Sequence, residues 1–103
     1  MLNKVVINRE NIEFAIEVQN KIFPNFSAKT NYLESVNGLT TNIYYLIFKE
    51  QECIGISGIY HYDVDKTSAW LGWFGVLSEY RNKGYGSEIL RLFEKEAYEA
   101  GCS

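Results

Sequence analysis

The sequence predicts one α+β domain with the element order strand, helix, helix, strand, strand, strand, helix. Three observations support this class. Four runs rich in β-branched and aromatic residues are bounded by polar or glycine-containing turns, as strands are. Three other segments repeat apolar residues at intervals of three and four, as amphipathic helices do. The polar residues 49–52 separate two of the strands and predict a hairpin.

The first strand and two helices occupy the N-terminal part of the chain. Residues 2–7 form a strand because their centre, from Val5 to Ile7, is β-branched. Asn8 can cap the first helix, and Pro24 prevents its continuation beyond Phe23. Ser27 can cap a short second helix, from which Gly38 permits the exit. The apolar positions of the two helices are Ile12, Ala15, Ile16, Gln19, Ile22 and Phe23, then Tyr32, Leu33 and Val36.

Residues 41–49, 53–62 and 68–76 predict the second, third and fourth strands. Glycines interrupt the third strand at Gly55 and Gly58, and the fourth at Gly72 and Gly75. Glycine inside a strand predicts a bend or a bulge at these places, although Gly72 and Gly75 could equally serve close packing.

Residues 76–86 connect the fourth strand to the last helix, which spans residues 87–100 and has an amphipathic pattern. In this order, backbone N–H groups of the loop and helix start point outward and can hold an anion. Gly84 and Gly86 let a phosphate approach the main chain, while Arg81 and Lys83 add positive charge. The alternative is a basic turn whose glycines serve its geometry alone.

The loop does not carry the common nucleotide-binding motifs. A dinucleotide fingerprint needs a third glycine where Ile89 stands, and no Gly-Lys-Ser/Thr sequence of a P-loop follows. The longer string instead resembles the acyl-CoA-binding motif of the GNAT superfamily of N-acyltransferases, written Arg/Gln-x-x-Gly-x-Gly/Ala. Ser78 and Asn82 depart from it, since the family often has Pro and Gly there. The positions that carry the resemblance are Val76, Tyr80, Arg81, Lys83, Gly84, Gly86, Ile89 and Leu90.

The resemblance covers nearly the whole chain and implies the N-terminal part of the GNAT fold. This fold is a three-layer sandwich around a mixed, mostly antiparallel sheet. The family normally continues with a strand parallel to the fourth, another helix and two strands. We therefore expect residues 1–103 to form a single truncated domain, or a half-domain completed by another chain.

The resemblance also implies acetyl transfer from acetyl-CoA to a primary amine of unknown identity, by direct attack on the thioester. The main chain of Phe74 and Val76 would pair with the pantetheine arm, and a strand N–H near Phe74 would polarise the thioester carbonyl. The pyrophosphate would lie on loop N–H groups, with Ser87 at the helix start. Those loop residues are Arg81, Asn82, Lys83, Gly84, Tyr85 and Gly86.

No catalytic residue is assigned from the sequence. Trp70 stands where some family members have a glutamate base, eleven positions before the motif's Arg/Gln. His61 is a candidate base, although a strand-surface histidine is the simpler interpretation. Tyr60 and Tyr62 could line the acceptor site or pack in the core. A CoA-binding or regulatory module without catalysis is one alternative, and an unrelated small interaction domain is another.

Composition restricts the remaining classes. A net charge of −3 gives nucleic-acid binding no support, and no apolar run has the length of a membrane span. Two cysteines, Cys53 and Cys102, fit a reduced cytoplasmic protein better than a disulfide framework. No metal site is predicted. The apolar, uncharged residues 69–76 would leave an open strand edge, so we expect self-association through it.

Overall fold

The computed structural model describes residues 2–40, 42–62 and 65–99, with side chains for residues 2–40, 42–60 and 71–99. The predicted α+β class is confirmed, and the predicted order of elements holds except that a seven-residue strand and a two-residue strand replace the fourth. The elements are β1 (Leu2–Val6), α1 (Ile12–Ile22), α2 (Lys29–Val36), β2 (Ile43–Lys49), β3 (Glu52–Tyr62), β4 (Asp65–Leu71), β5 (Gly75–Val76) and α3 (Tyr85–Glu99).

The strands form one sheet in the order β1-β2-β3-β4, and β5 pairs with β3 beyond the end of β4. Every described strand pair is antiparallel. The predicted hairpin joins β2 to β3, with Lys49 opposite Glu52 and with Glu50 in a left-handed conformation at φ 57°.

The predicted fourth strand is wrong in its bounds, because it begins at Asp65 and is interrupted between Leu71 and Gly75. The register against β3 advances by one residue between the pairs Ile59–Leu71 and Ile56–Gly75. This extra residue is a β-bulge, which the glycines predicted. A Cβ atom on Gly72 would overlap the Tyr60 ring, so glycine permits the close approach there.

The helix ends differ from their predicted positions for local reasons. Asn8 does not cap α1, since its Oδ1 accepts the N–H groups of Glu10 and Asn11 at 2.8 and 3.0 Å. This turn delays the helix start to Ile12, so that Asn11 is the N-cap residue. Gly38 follows α2 at φ 71°, in agreement with the predicted exit.

Helices cover both faces of the sheet and produce two buried clusters. On one face α1 and α2 pack on β2 and β3. On the other, α3 packs on cluster residues of β1, β2 and β3 and also contacts β4 and β5. The first cluster is Ile7, Ala15, Val18, Ile22, Ala28, Tyr32, Tyr44, Leu46, Ile56 and Leu77. The second is Leu2, Tyr45, Ile47, Ile54, Ile59 and Ile89. No helix in residues 2–40, 42–62 and 65–99 has the length and apolar character needed to cross a membrane.

Candidate functional site

The loop from β5 to α3 contains two residues with left-handed backbone. After a short 3-10 turn at Ser78–Tyr80, Asn82 has φ 63° and Gly84 has φ 80°. Asparagine tolerates this conformation better than most residues, and glycine adopts it without steric cost. Asn82 can therefore replace the glycine that the resembled motif often has at its position.

Six consecutive N–H groups at the start of α3 have no acceptor. Within the described part of the chain, the backbone N–H groups of residues 82–87 donate to no other group. The first bond of the helix is from the N–H of Glu88 to the carbonyl of Gly84, at 3.3 Å. These donors lie at the positive end of a 15-residue helix, an arrangement that stabilises a bound anion.

The two cations of the loop have different surroundings. Arg81 Nε donates to the carbonyl oxygen of Val76 at 3.1 Å, so this side chain closes the loop onto β5. Lys83 Nζ lies 5.9 Å from the centroid of the Tyr80 ring. Both side chains are exposed, and both belong to the same loop as the six N–H groups. Two carboxylates flank the loop along the chain, Glu79 in the 3-10 turn and Glu88 in the first turn of α3.

The backbone of Val76 points toward the open side of β5. The N–H of Leu77 donates to the carbonyl oxygen of Ile54 at 2.8 Å, so these two residues form a hydrogen-bonded pair. In an antiparallel ladder such pairs alternate with pairs that share no hydrogen bond, and the adjacent pair, Gly55 and Val76, is of the second kind. The N–H and C=O groups of Val76 therefore point away from β3. Phe74, one residue before β5, likewise donates its N–H to no backbone acceptor among the described residues.

The two loop glycines have different structural requirements. Gly84 needs its positive φ, so any side chain there strains the backbone. Gly86 is helical, and a Cβ atom on it would lie 3.7 Å from Cζ of Phe74, an ordinary contact. The fold therefore favours glycine at position 84 and has room for at least a Cβ atom at position 86.

The hairpin between β2 and β3 supports the loop from the side. Tyr80 donates its hydroxyl to Glu52 at 2.8 Å, and this bond raises the pKa of Tyr80. Lys49 Nζ donates to the Tyr85 hydroxyl at 2.7 Å, which raises the pKa of Lys49. An open groove of about 790 Å³ lies between the hairpin and the loop. Its lining residues are Lys49, Glu50, Gln51, Glu52, Tyr80, Lys83 and Tyr85.

Among the candidates for proton transfer and acceptor binding, the structure describes only Tyr60. Burial, and then a hydrogen bond with Tyr44, raise the pKa of Tyr60, so its phenol stays neutral and is a poor base. The side chains of His61, Tyr62 and Trp70 lie outside the described residues, as does Cys102. No three His, Cys, Asp or Glu side chains among the described residues are grouped to hold a metal ion.

The structure thus brings residues 81–87 together at the start of α3 and presents Phe74 and Val76 beside them. Sequence reasoning missed Trp73, which lies in the bulge with φ 47°. Its side chain contacts Phe23 and Asn31, from α1 and α2. Two glycines flanking a pair of bulky aromatic residues were the available signal for this position.

Comparison with known proteins gives one family and one shared fold. The sequence model of the Acetyltransferase (GNAT) family matches residues 12–103. No curated protein matches the chain.

Three solved structures illustrate the likeness. A GNAT family acetyltransferase from Staphylococcus aureus is 20% identical, with a TM-score of 0.73 over 99% of this chain and 82% of that one. The aminoglycoside 6'-N-acetyltransferase AAC(6')-Ih from Acinetobacter baumannii is 18% identical, with a TM-score of 0.70 over 100% and 76%. A predicted acetyltransferase with acetyl-CoA from Clostridium acetobutylicum is 13% identical, with a TM-score of 0.69 over 100% and 77%. At these identities the structures establish a shared fold.

Proposed function

We propose that this chain, which belongs to the acetyltransferase (GNAT) family, transfers an acetyl group from acetyl-CoA to a primary amine. The observation that carries the proposal is the row of unpaired N–H groups at residues 82–87. A pyrophosphate brings two negative charges and several acceptor oxygens to these donors. Hydrogen bonds to charged groups contribute about 1.5–3 kcal/mol each, so a few of them suffice for binding.

The pantetheine arm would extend from the loop along the open side of β5. It carries amide groups that can pair with outward-pointing N–H and C=O groups, as an added strand does. The N–H group of Val76 points outward from β5, and the N–H group of Phe74 donates to no backbone acceptor among the described residues. In this pose the thioester would lie near the bulge.

The reaction is a direct acyl transfer. The amine nitrogen attacks the thioester carbonyl carbon, the C–N bond forms, and the C–S bond breaks. Coenzyme A leaves as the thiolate and takes up a proton, while the attacking nitrogen loses one to a base or to solvent water. The carbonyl oxygen becomes negative during attack, and an N–H group near Phe74 would stabilise it.

A second candidate function is CoA binding without catalysis. It is favoured by Trp70, which pairs with Tyr60 of β3 and stands where some family members have a glutamate base. An indole is a donor only, so it cannot accept the amine's proton. We also propose a cytoplasmic location, since the two cysteines fit a reducing compartment.

Two assays on the purified chain separate these possibilities. Calorimetric titration with acetyl-CoA measures binding, and release of free thiol in the presence of a panel of primary amines measures transfer. Binding with amine-dependent thiol release is the expected result. Binding without release for any amine would favour the non-catalytic module, and absence of binding would overturn both functions.

A further inference from the structure

The open groove of about 790 Å³ between the β2–β3 hairpin and the loop is continuous with the anion-binding row of N–H groups. Tyr85 connects the two features, because its side chain lines the groove while its N–H group belongs to the row at residues 82–87. The groove lies on the hairpin side of the loop, whereas the open side of β5 faces away from β3. A molecule whose middle binds the row can therefore extend in two directions, along β5 and into the groove.

Two tyrosine rings line this groove. The ring centroids of Tyr80 and Tyr85 are 6.3 Å apart, with planes inclined at 56°. Both side chains are half-buried, because they pack on the second cluster and expose their remaining surface to the groove. The hydroxyl of Tyr80 is also held by Glu52, to which it donates at 2.8 Å. Aromatic rings fixed in this way bind planar bases by stacking.

Each ring has an ammonium group beside it. Lys49 Nζ donates to the Tyr85 hydroxyl at 2.7 Å and lies 5.1 Å from the centroid of that ring. Lys83 Nζ lies 5.9 Å from the centroid of the Tyr80 ring. Both lysines are exposed, and an ammonium group has three donors, so the bond to Tyr85 leaves two on Lys49 for a ligand. The groove thus offers two cations next to two rings.

The hairpin turn adds acceptors to the same groove. The exposed side chains of Glu50, Gln51 and Glu52 carry oxygen atoms and line it. Glu52 accepts the Tyr80 hydroxyl at Oε2, and its carboxylate has further lone pairs. A purely anionic ligand gains little from a groove with charges of both signs. The chemistry instead matches a ligand that combines a planar ring, N–H donors and one separate anionic group.

We propose that this groove binds the adenosine 3'-phosphate end of acetyl-CoA. The adenine ring lies on Tyr80 and Tyr85, and its exocyclic amino group donates to the hairpin acceptors. The 3'-phosphate lies against the ammonium groups of Lys49 and Lys83. This inference rests on the proposed function for its ligand. The ribose joins this end of the molecule to the pyrophosphate, which places it next to the N–H row, on the side opposite to the pantetheine arm.

Lys49 is the better positioned of the two cations, because the Tyr85 hydroxyl holds its ammonium group at the groove before a ligand binds. Lys49 belongs to β2, outside the segment that carries the glycine motif. The hairpin would therefore determine whether the chain distinguishes a nucleotide that carries the 3'-phosphate from one that lacks it.

The direct test compares CoA with 3'-dephospho-CoA, which differs from it only in the 3'-phosphate, by calorimetric titration. We expect the wild-type chain to bind CoA about fivefold more tightly, and Lys49→Met to reduce this ratio to about twofold or less. Loss of the bond to Tyr85 by itself would weaken both ligands equally and leave the ratio unchanged. The matched control is Lys95→Met, which removes an exposed lysine outside the groove and should keep the wild-type ratio.

A second titration tests the position of adenine. We expect Tyr80→Leu, which keeps an apolar side chain but removes the ring, to weaken CoA binding about threefold to tenfold, and Tyr80→Phe to keep most of the affinity. Binding of 4'-phosphopantetheine, which lacks the adenosine, should be the same in both variants, whereas a purely structural effect would change it.

The outcomes separate the inference from the proposed function. Equal affinity of the wild-type chain for CoA and 3'-dephospho-CoA, or a wild-type ratio in Lys49→Met, would overturn the inference and leave acetyl transfer standing. The expected ratios without amine-dependent thiol release would overturn the proposed transfer and support the inference. Absence of CoA binding would overturn both.

Discussion

The guanidinium Nε of Arg81 donates to the carbonyl oxygen of Val76 at 3.1 Å, across five residues of chain. This carbonyl points away from β3, so it has no partner in the sheet. The bond joins the end of β5 to the anion-binding loop and fixes the start of that loop. Arg81 therefore shapes the site through its geometry as well as through its charge.

Replacing Arg81 separates these two effects. We expect Arg81→Lys to weaken acetyl-CoA binding nearly as much as Arg81→Ala, because lysine keeps the charge but lacks the planar guanidinium that reaches Val76. The free energy of unfolding should change by about 1 kcal/mol or less, since the bond is exposed. Calorimetric titration measures the affinities, and wild-type affinity in Arg81→Lys would show that charge alone matters.

Much of this arrangement could be predicted because its signals are local. The strand, loop and helix around residues 76–86 follow from apolar spacing and two glycines within a short window. Gly72 and Gly75 signalled the bulge, but the sequence did not show which residue within it takes the left-handed conformation. The strand pattern assigned Trp73 a regular position, whereas its conformation depends on Phe23 and Asn31, distant in the chain.

The support of the loop by the hairpin was also beyond sequence reasoning. Lys49 and Tyr85 are 36 residues apart, and their contact depends on how α3 docks on the sheet. The bond from Arg81 to Val76 was missed for another reason. A basic side chain in a glycine-containing loop predicts an anion partner, and its use as a donor to the main chain has no sequence signature.

The docking of α3 gives a prediction about stability. The Tyr45 hydroxyl donates to the Glu96 carboxylate, at 2.7 and 2.8 Å from its two oxygens, and Lys4 pairs with the same group. We expect Tyr45→Phe to lower the free energy of unfolding by about 1–3 kcal/mol, since a part-buried carboxylate loses a donor. Urea unfolding measures this loss. The matched control is Glu99→Gln, which removes only the exposed Lys95–Glu99 pair and should have little effect.

Alkaline pH should destabilise the chain through its buried phenols. Burial, and then the hydrogen bond with Glu96, raise the pKa of Tyr45 above its ordinary value, and burial likewise raises the pKa of Tyr32 and Tyr60. A raised folded-state pKa contributes stability that is fully present below the unfolded pKa of about 10 and is lost as pH rises further. The free energy of unfolding should therefore fall above that pH, and less steeply in Tyr45→Phe. An identical slope in the two proteins would contradict this assignment.

The open edge of the sheet predicts self-association. Among the described strands, β4 and β5 pair only with β3, and residues 69–76 carry no charge to protect their other side. In the absence of acetyl-CoA, whose pantetheine arm would occupy the β5 part of this edge, we expect a two-fold dimer that covers it, with a sedimentation coefficient that rises with protein concentration. A compact monomer at every concentration, with sharp thermal unfolding, would contradict the prediction.

The central claim, that acetyl-CoA binds the loop mainly through backbone N–H groups, is tested most directly by calorimetric titration of Gly86→Val beside Lys83→Ala. A Cβ atom at position 86 makes only an ordinary contact with Phe74, so the backbone accepts a side chain there. The unfolding midpoint of Gly86→Val checks that the variant is folded while its branched side chain blocks the approach of the pyrophosphate. We predict a loss of affinity of more than about tenfold for Gly86→Val. For Lys83→Ala, which removes one exposed charge, we predict a loss of less than about fivefold. Equal losses in the two variants, or wild-type affinity in Gly86→Val, would contradict the account.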